Sequence, residues 1–196
     1  MKFYKYYLFN KPFGVLSQFS KEQHDQKSLK DYLNVPIDVY PVGRLDKDSE
    51  GLLLLTNDPS VNSKILHPSN KLPKTYWVQI EGKPDKLKLQ KLKAGVKIKI
   101  DGSLYLVKAL TIKILDPDPV VVPRDPPIRF RKTVPDSWIE ISIDEGKNRQ
   151  VRRMLAAIGY PVLRLIRISI GKLQLLDLQS GKSKEIIKSE LMGSLK

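Results

Sequence analysis

Cysteine is absent from this chain, which removes disulfides and thiolate metal sites at once. Histidine is almost absent. His24 and His67 stand far apart in loop-like sequence, leaving little material for a histidine metal site or a Ser-His-Asp triad. No apolar run reaches membrane-spanning length, and the opening Met1-Lys2-Phe3-Tyr4-Lys5-Tyr6-Tyr7 leads into strand-like sequence, unlike a signal peptide. Acidic residues are scarce, 21 against 35 lysines and arginines, for a formal charge of +14. These absences lead us to expect a cytoplasmic protein with no metal and no membrane, whose partner is a polyanion. Nucleic acid fits better than a lipid surface, because no basic amphipathic helix with an aromatic face is present.

The distribution of positive charge says more than its total. Lysine outnumbers arginine 26 to 9, yet the arginines fall in only three places. Arg44 stands alone, Arg124, Arg129 and Arg131 share a proline-rich stretch, and Arg149, Arg152, Arg153, Arg164 and Arg167 fill one late segment. A planar bidentate donor suits phosphates, bases or a carboxylate. From Lys147 to Leu176 there are seven basic residues and no acid, whereas a merely solvated surface mixes both signs.

The most informative stretch runs from Gly43 to Asp58. It sets Arg44 and Asp46 one residue apart in a turn, then enters Leu52-Leu53-Leu54-Leu55, a run that reads as a short buried strand. A carboxylate at the entrance of a buried element is held near a core without lying in it, as reactive carboxylates often are. Two plainer readings compete. Asp46, Asp48 and Glu50 could simply solvate a turn. They also stand, with Gly51, at relative positions 1, 3, 5 and 6 of a calcium loop, but Asn57 at the twelfth cannot supply the bidentate carboxylate.

Strands are expected over Tyr4–Phe9, Val39–Val42, Lys74–Glu81, Tyr105–Leu115, Trp138–Ile143, Leu163–Ile170 and Leu173–Leu178. In Lys74–Glu81, Tyr76, Val78 and Ile80 share one face. Asn10–Gly14 reads as a turn. Helices are expected over Ser28–Leu33, Pro59–Leu66 with Asn57 or Asp58 as cap, and Asn148–Ile158 with Asn148 as N-cap and Gly159 as stop. Asp85–Ala94 alternates like a strand but opens like a helix, and is taken as a helix. At about 100° per residue, Val151, Met154, Leu155 and Ile158 form one apolar stripe, with Arg152 beside it and Arg149 and Arg153 farther out. Such an Arg152 could reach a buried carboxylate; three exposed arginines on a solvated helix is the plainer alternative. Residues 116–135 hold six of the fourteen prolines and three arginines, either a long surface loop or a stiff RNA-contacting arm.

Gly43–Asp58, Lys74-Thr75-Tyr76, Glu145-Gly146-Lys147-Asn148-Arg149-Gln150-Val151-Arg152-Arg153-Met154 and Leu163-Arg164-Leu165-Ile166-Arg167-Ile168-Ser169-Ile170-Gly171 occur in the order of the motifs of one family. Over nearly the whole chain the sequence resembles the RsuA-type pseudouridine synthases, the branch that modifies ribosomal RNA. The segment beyond Gln174 departs from that pattern. The resemblance implies an α+β fold, a mixed and mostly antiparallel sheet with flanking helices, as a single catalytic domain over 1–196 bearing the arm. Many relatives carry an added S4-type module; its lack here would put more of the RNA binding on the core and the arm.

Pseudouridine formation breaks the C1′–N1 bond and rejoins the same base through C5, so the resemblance implies an isomerase needing no cofactor and no metal. One ionised carboxylate at the ribose could suffice, because the departing uracil anion is resonance-stabilised. By resemblance Asp46 is that carboxylate, Arg152 the partner keeping it ionised, and Tyr76 the ring packing on the uracil, with Leu165 near the base. A core role is the plain alternative for Tyr76 and Leu165. Arg44 would fill the space left when the uridine leaves its stack. Lys74, Arg149, Arg153, Arg167 and the arm's Arg124, Arg129 and Arg131 would contact RNA. The expected partner is large-subunit ribosomal RNA, met by a monomer. A non-catalytic RNA-binding or ribosome-assembly protein of the same fold, or a tRNA-modifying synthase, are the alternatives.

Overall fold

A computed structural model describes residues 3–21, 23–129 and 133–195. In chain order the elements are β1 (Tyr6–Lys11), β2 (Val15–Leu16), β3 (Lys27–Ser28), β4 (Tyr40–Pro41), β5 (Glu50–Thr56), α1 (Pro59–Leu66), β6 (Lys74–Glu81), α2 (Lys86–Ala94), β7 (Val96–Ile100), β8 (Ser103–Val107), β9 (Thr111–Ile114), β10 (Asp136–Ile143), α3 (Gln150–Ala157), β11 (Val162–Ile170), β12 (Leu173–Gln174), β13 (Ser183–Ile186) and α4 (Lys188–Ser194). The chain divides into two compact units, Met1–Leu72 with Ile166–Lys196, and Pro73–Leu165. The α+β class and the mixed, mostly antiparallel strand pairing agree with the sequence expectation.

In the first unit the strands run β13-β1-β5-β11, with β4 also on β5 and β12 on β11. Its pairs are antiparallel except β5 with β11, where Gly51 stands opposite Arg167. The four leucines of β5 are buried on both faces, which is why the run is continuous and not alternating. Leu52 and Leu54 pack with Tyr6, Leu8, Val61 and Ile65, while Leu53 and Leu55 pack with Phe9, Leu29 and Val39. Helix α1 starts where it does because the Asp58 carboxylate accepts from Ser60 N at 3.0 Å and Pro59 needs no donor partner. Burial alone would raise the Asp58 carboxyl, but hydrogen bonds from Ser60, Tyr6 and Lys188 outweigh it and bring it down to about 2.

In the second unit the order is β11-β6-β10-β9, with β7 and β8 as a separate ribbon. Tyr76, Val78 and Ile80 are buried along β6, as the alternation requires. Residues 85–94 do form a helix: Asp85 accepts from Leu87 N at 2.7 Å, and Leu89 and Leu92 are its buried residues.

Several boundaries differ from expectation. The segment 105–115 is not one strand but β8 and β9 in different sheets, because Lys108–Leu110 turns the chain away while Leu110 N bonds Ser142 O. The helix expected over 28–33 shortens to one 3-10 turn, Leu29–Asp31. The strand expected over 173–178 stops at Gln174. Beyond it, where the sequence departs from the family pattern, β13 pairs with β1, and Leu191 of α4 with Leu195 after it enters the first unit's core.

Gly51 is the position where β5 and β11 touch. Its φ is +100°, and a Cβ there would lie 2.3 Å from the carbonyl oxygen of Arg167 and 2.7 Å from its nitrogen. Gly51→Ala should therefore destabilise the chain by on the order of 3 kcal/mol, combining positive-φ strain with an immovable backbone clash. Urea denaturation measures this; a loss within experimental error of zero would mean that the two strands separate easily.

Candidate active site

The loop from β4 to β5 is built around Leu45. That residue is buried, and the Ser17 hydroxyl grips it twice, donating to Leu45 O at 2.7 Å and accepting from Leu45 N at 3.1 Å. Its neighbours must then project from a fixed backbone: Arg44 is exposed and Asp46 half-buried. The turn closes behind them, with Ser49 N donating to Asp46 O at 3.0 Å.

Lys11 lies beneath this loop and is fully buried. Its Nζ donates to Val15 O at 2.7 Å and Pro12 O at 3.0 Å, and reaches Lys47 O at 3.5 Å. Gly14 N also bonds Lys47 O, at 2.8 Å. One amine thus ties the turn after β1 to the residue following Asp46. Burial drives the Lys11 amine down to about 7, against the opposing pull of Glu50, Asp48 and Asp46, while Arg167 lowers it further. Lys11 and Ser17 carry no signal of their own in the sequence, and Gly51 stands out there only as part of the calcium-loop spacing. The turn Asn10–Gly14 was visible there, but nothing in it showed that its lysine points inward.

Arg167 is buried, and its Nε donates to Leu52 O at 2.8 Å, so it braces β11 against β5.

In the second unit Tyr76 is buried on β6 opposite Ile141 of β10, and Leu165 is buried on β11. Lys74, at the start of β6, is half-buried. Helix α3 begins one residue later than expected. Its N-cap is Arg149, not Asn148, and Arg149 is in the left-handed region with φ 52°. No side chain caps this end; Gln150 instead folds back on the preceding loop, its Oε1 accepting from Lys147 N at 2.9 Å while its amide donates to Glu145 at 2.8 Å. Arg149 is exposed and outside the helical wheel. Val151, Met154 and Leu155 are buried as the stripe predicts, and Ile158, past the helix end, is half-buried.

Arg152 is half-buried beside that stripe, with Nη1 donating to Val162 O at 3.2 Å. Arg153 is half-buried. Its Nε donates to Asn148 O at 3.1 Å and its Nη1 to Lys99 O at 2.6 Å, so it ties α3 to the β7–β8 ribbon. Arg124 likewise turns inward on the arm, donating to Pro126 O at 2.8 Å and Pro127 O at 3.4 Å. Arg129 is exposed, and Arg131 lies outside the described residues. Val120 and Val122 of the arm are also exposed. Among the described residues no group of three or more His, Cys, Asp or Glu side chains is placed to hold a metal, and no helix is long and apolar enough to cross a membrane.

The first unit thus sets Asp46 on a pinned loop beside a buried lysine, and the second, described by itself, buries Tyr76 on a strand and carries Arg152 on a helix. Residues 5–157 match the RNA pseudouridylate synthase family, and the chain belongs to it. It is a pseudouridine synthase, an isomerase of uridine in RNA. It is 52% identical over 164 residues to "Ribosomal large subunit pseudouridine synthase E" of Xanthomonas axonopodis pv. citri, covering 84% of each chain. With the protein of that name from Vibrio parahaemolyticus it shares 50% over 182 residues, 93% of this chain and 74% of the relative. A solved crystal structure of a pseudouridylate synthase superposes over the whole chain and 75% of its own, with TM-score 0.79 and 26% identity.

The depressed Lys11 amine has a measurable consequence. Its folded value lies below the unfolded 10.5, so between about pH 7 and pH 10.5 the unfolded chain binds more protons at this site and stability gains with rising pH. Lys11→Met should remove that gain, flattening the slope of unfolding free energy against pH relative to the parent. Equal slopes in urea titrations of the two proteins would show that Lys11 keeps an ordinary amine.

Proposed function

We propose that this enzyme converts a uridine of large-subunit ribosomal RNA to pseudouridine, with Asp46 as the carboxylate that acts at C1′ of the ribose. The observation that carries the assignment of Asp46 is the double grip of Ser17 on Leu45, which fixes the backbone between exposed Arg44 and half-buried Asp46. A carboxylate that must meet a single ribose carbon gains from such a preset backbone, because misplacement is costly in rate. The relatives named for the large ribosomal subunit support the RNA class, as does the charge of +14.

The reaction loses and gains no atoms overall. The C1′–N1 bond breaks with its electron pair leaving on uracil, Asp46 attacks C1′ or stabilises positive charge there, and C5 then bonds to C1′, releasing Asp46 if it had bonded, with the proton lost from C5 matched by one gained at N1. Tyr76 packs on the uracil and Leu165 lies by the base. Arg152, on its motif, serves turnover by keeping the carboxylate charged. Arg44 fills the space vacated by the flipped uridine, at a site where unstacking costs a few kcal/mol. Lys74, Arg129 and Arg149 contact the RNA, while Arg124 and Arg153 act through the backbone segments that they hold in place.

Asp46→Asn should reduce pseudouridine formation to the background of RNA alone while leaving RNA affinity nearly unchanged, since shape survives and the ionised oxygen does not. Arg152→Ala should lower turnover strongly with little change in RNA affinity. Single-turnover assays and filter binding separate these quantities. An Asp46→Asn enzyme that retains parental turnover would move the chemistry elsewhere, and an Arg152→Ala enzyme defective only in binding would remove Arg152 from it.

A further inference from the structure

The β7–β8 ribbon has a face that the fold does not use. Its register sets Val96 opposite Val107, Ile98 opposite Tyr105 and Ile100 opposite Ser103 on one side. On that side Ile98, Ile100 and Val107 are buried. On the other side Lys97 stands opposite Leu106 and Lys99 opposite Leu104. Both lysines are exposed, and Leu104 and Leu106 remain 69% and 64% exposed. The turn Asp101-Gly102, both at positive φ, closes the ribbon tightly and fixes this register.

The ribbon is braced as well as tightly turned. The Arg153 guanidinium of α3 is bonded to Lys99 O, and the Lys147 ammonium lies 4.9 Å from the centre of the Tyr105 ring. The motif-bearing helix and the ribbon are therefore held to each other within one unit. The charge around the outer face is one-sided: residues 86–110 contain seven lysines and a single acid, Asp101. A face serving solubility alone would mix signs and would not expose two leucines between lysines. Lys97 and Lys99 are two residues apart on one strand face, about 6.6 Å, a spacing of the same order as that between successive phosphates of a nucleic-acid strand.

We propose that the outer face of the β7–β8 ribbon is a second RNA-contact surface. Lys97 and Lys99 neutralise backbone phosphates of RNA flanking the target uridine, and Leu104 and Leu106 pack against its riboses. The proposal rests on the RNA-modifying reading above. It adds a surface outside the motifs and names its ligand as the sugar-phosphate backbone, recognised without regard to base.

The test compares the parent with Lys97→Gln/Lys99→Gln and with Leu104→Ser/Leu106→Ser, using a large-subunit rRNA transcript and a minimal target stem-loop. Matched melting temperatures establish that the surface changes leave the fold intact; if the glutamine pair melts early, Lys97→Arg/Lys99→Arg must restore both folding and affinity. The lysine pair should lower affinity for the long transcript on the order of ten-fold and reduce the slope of log affinity against log salt by about 1.4 to 1.8, two contacts' worth. Turnover at saturating RNA should stay at the parental value. The leucine pair should weaken binding several-fold with an unchanged salt slope. Parental affinity and slope in the lysine pair overturn the proposal, as does a leucine pair that loses only a protein contact on ribosomal precursor particles while binding naked RNA normally. Pseudouridine formation by the parent, measured in the same samples, tests the functional reading separately: a parent that binds but does not isomerise sinks that reading and leaves the ribbon's result standing.

Discussion

Two backbones meet at Gly51, and the first unit is organised around that contact. Any side chain there would push β11 away from β5, because the nearest atoms are the carbonyl and amide of Arg167 and not a side chain that could swing aside. With the strands in contact, Arg167 can reach across to Leu52 O, and the leucines of β5 can pack on both faces. The acidic turn ends one residue before this contact, so its exit is as firmly placed as the strand itself. Its middle is fixed by Ser17 and its underside by Lys11. Asp46 thus inherits its position from a core contact, two hydroxyl bonds and an amine that holds the backbone beside it.

Lys11 is the costly member of that set. A buried ammonium needs acceptors in place of water, and here they are carbonyls of the two turns it joins. A methionine of similar length would bury as well but could not bridge those carbonyls. The arrangement trades stability near neutral pH for a defined loop, and the nearby carboxylates offset part of the cost by favouring the charged amine.

Much of this was legible in the sequence where a periodic pattern met a strong boundary. The leucine run, the alternation of Tyr76, Val78 and Ile80, and the stripe of Val151, Met154 and Leu155 are all local patterns read by burial, and each is buried as read. The acidic turn and its motif partners were legible as residue types in order. What failed had a local cause in one case and contacts distant in sequence in the others. Asn148 is an excellent cap by composition, but Gln150 reaches back to Lys147 N and Glu145, leaving Arg149 at the cap position. The tail beyond Gln174 carries little pattern of its own, and its strand exists because β1 offers an edge for it. Lys11 looked like any lysine in a turn; only the closure of the 46–49 turn over it makes it a core residue.

The arginines teach the same lesson in electrostatic form. Their concentration in a lysine-rich chain suggested phosphate recognition, yet Arg124, Arg153 and Arg167 each donate to backbone carbonyls. A guanidinium presents several donors in a rigid fork, which suits it to joining backbone segments as well as to gripping phosphates. Lysine, with one compact charge on a flexible stem, is poorly suited to that bracing but well suited to meeting a phosphate whose position varies. A division follows in which several arginines brace backbone segments, while exposed lysines remain open to a polyanion. On that division the arginine-poor ribbon, with its lysines on one open face, is where sequence-independent RNA contact should be sought, because its one buried face already satisfies the fold.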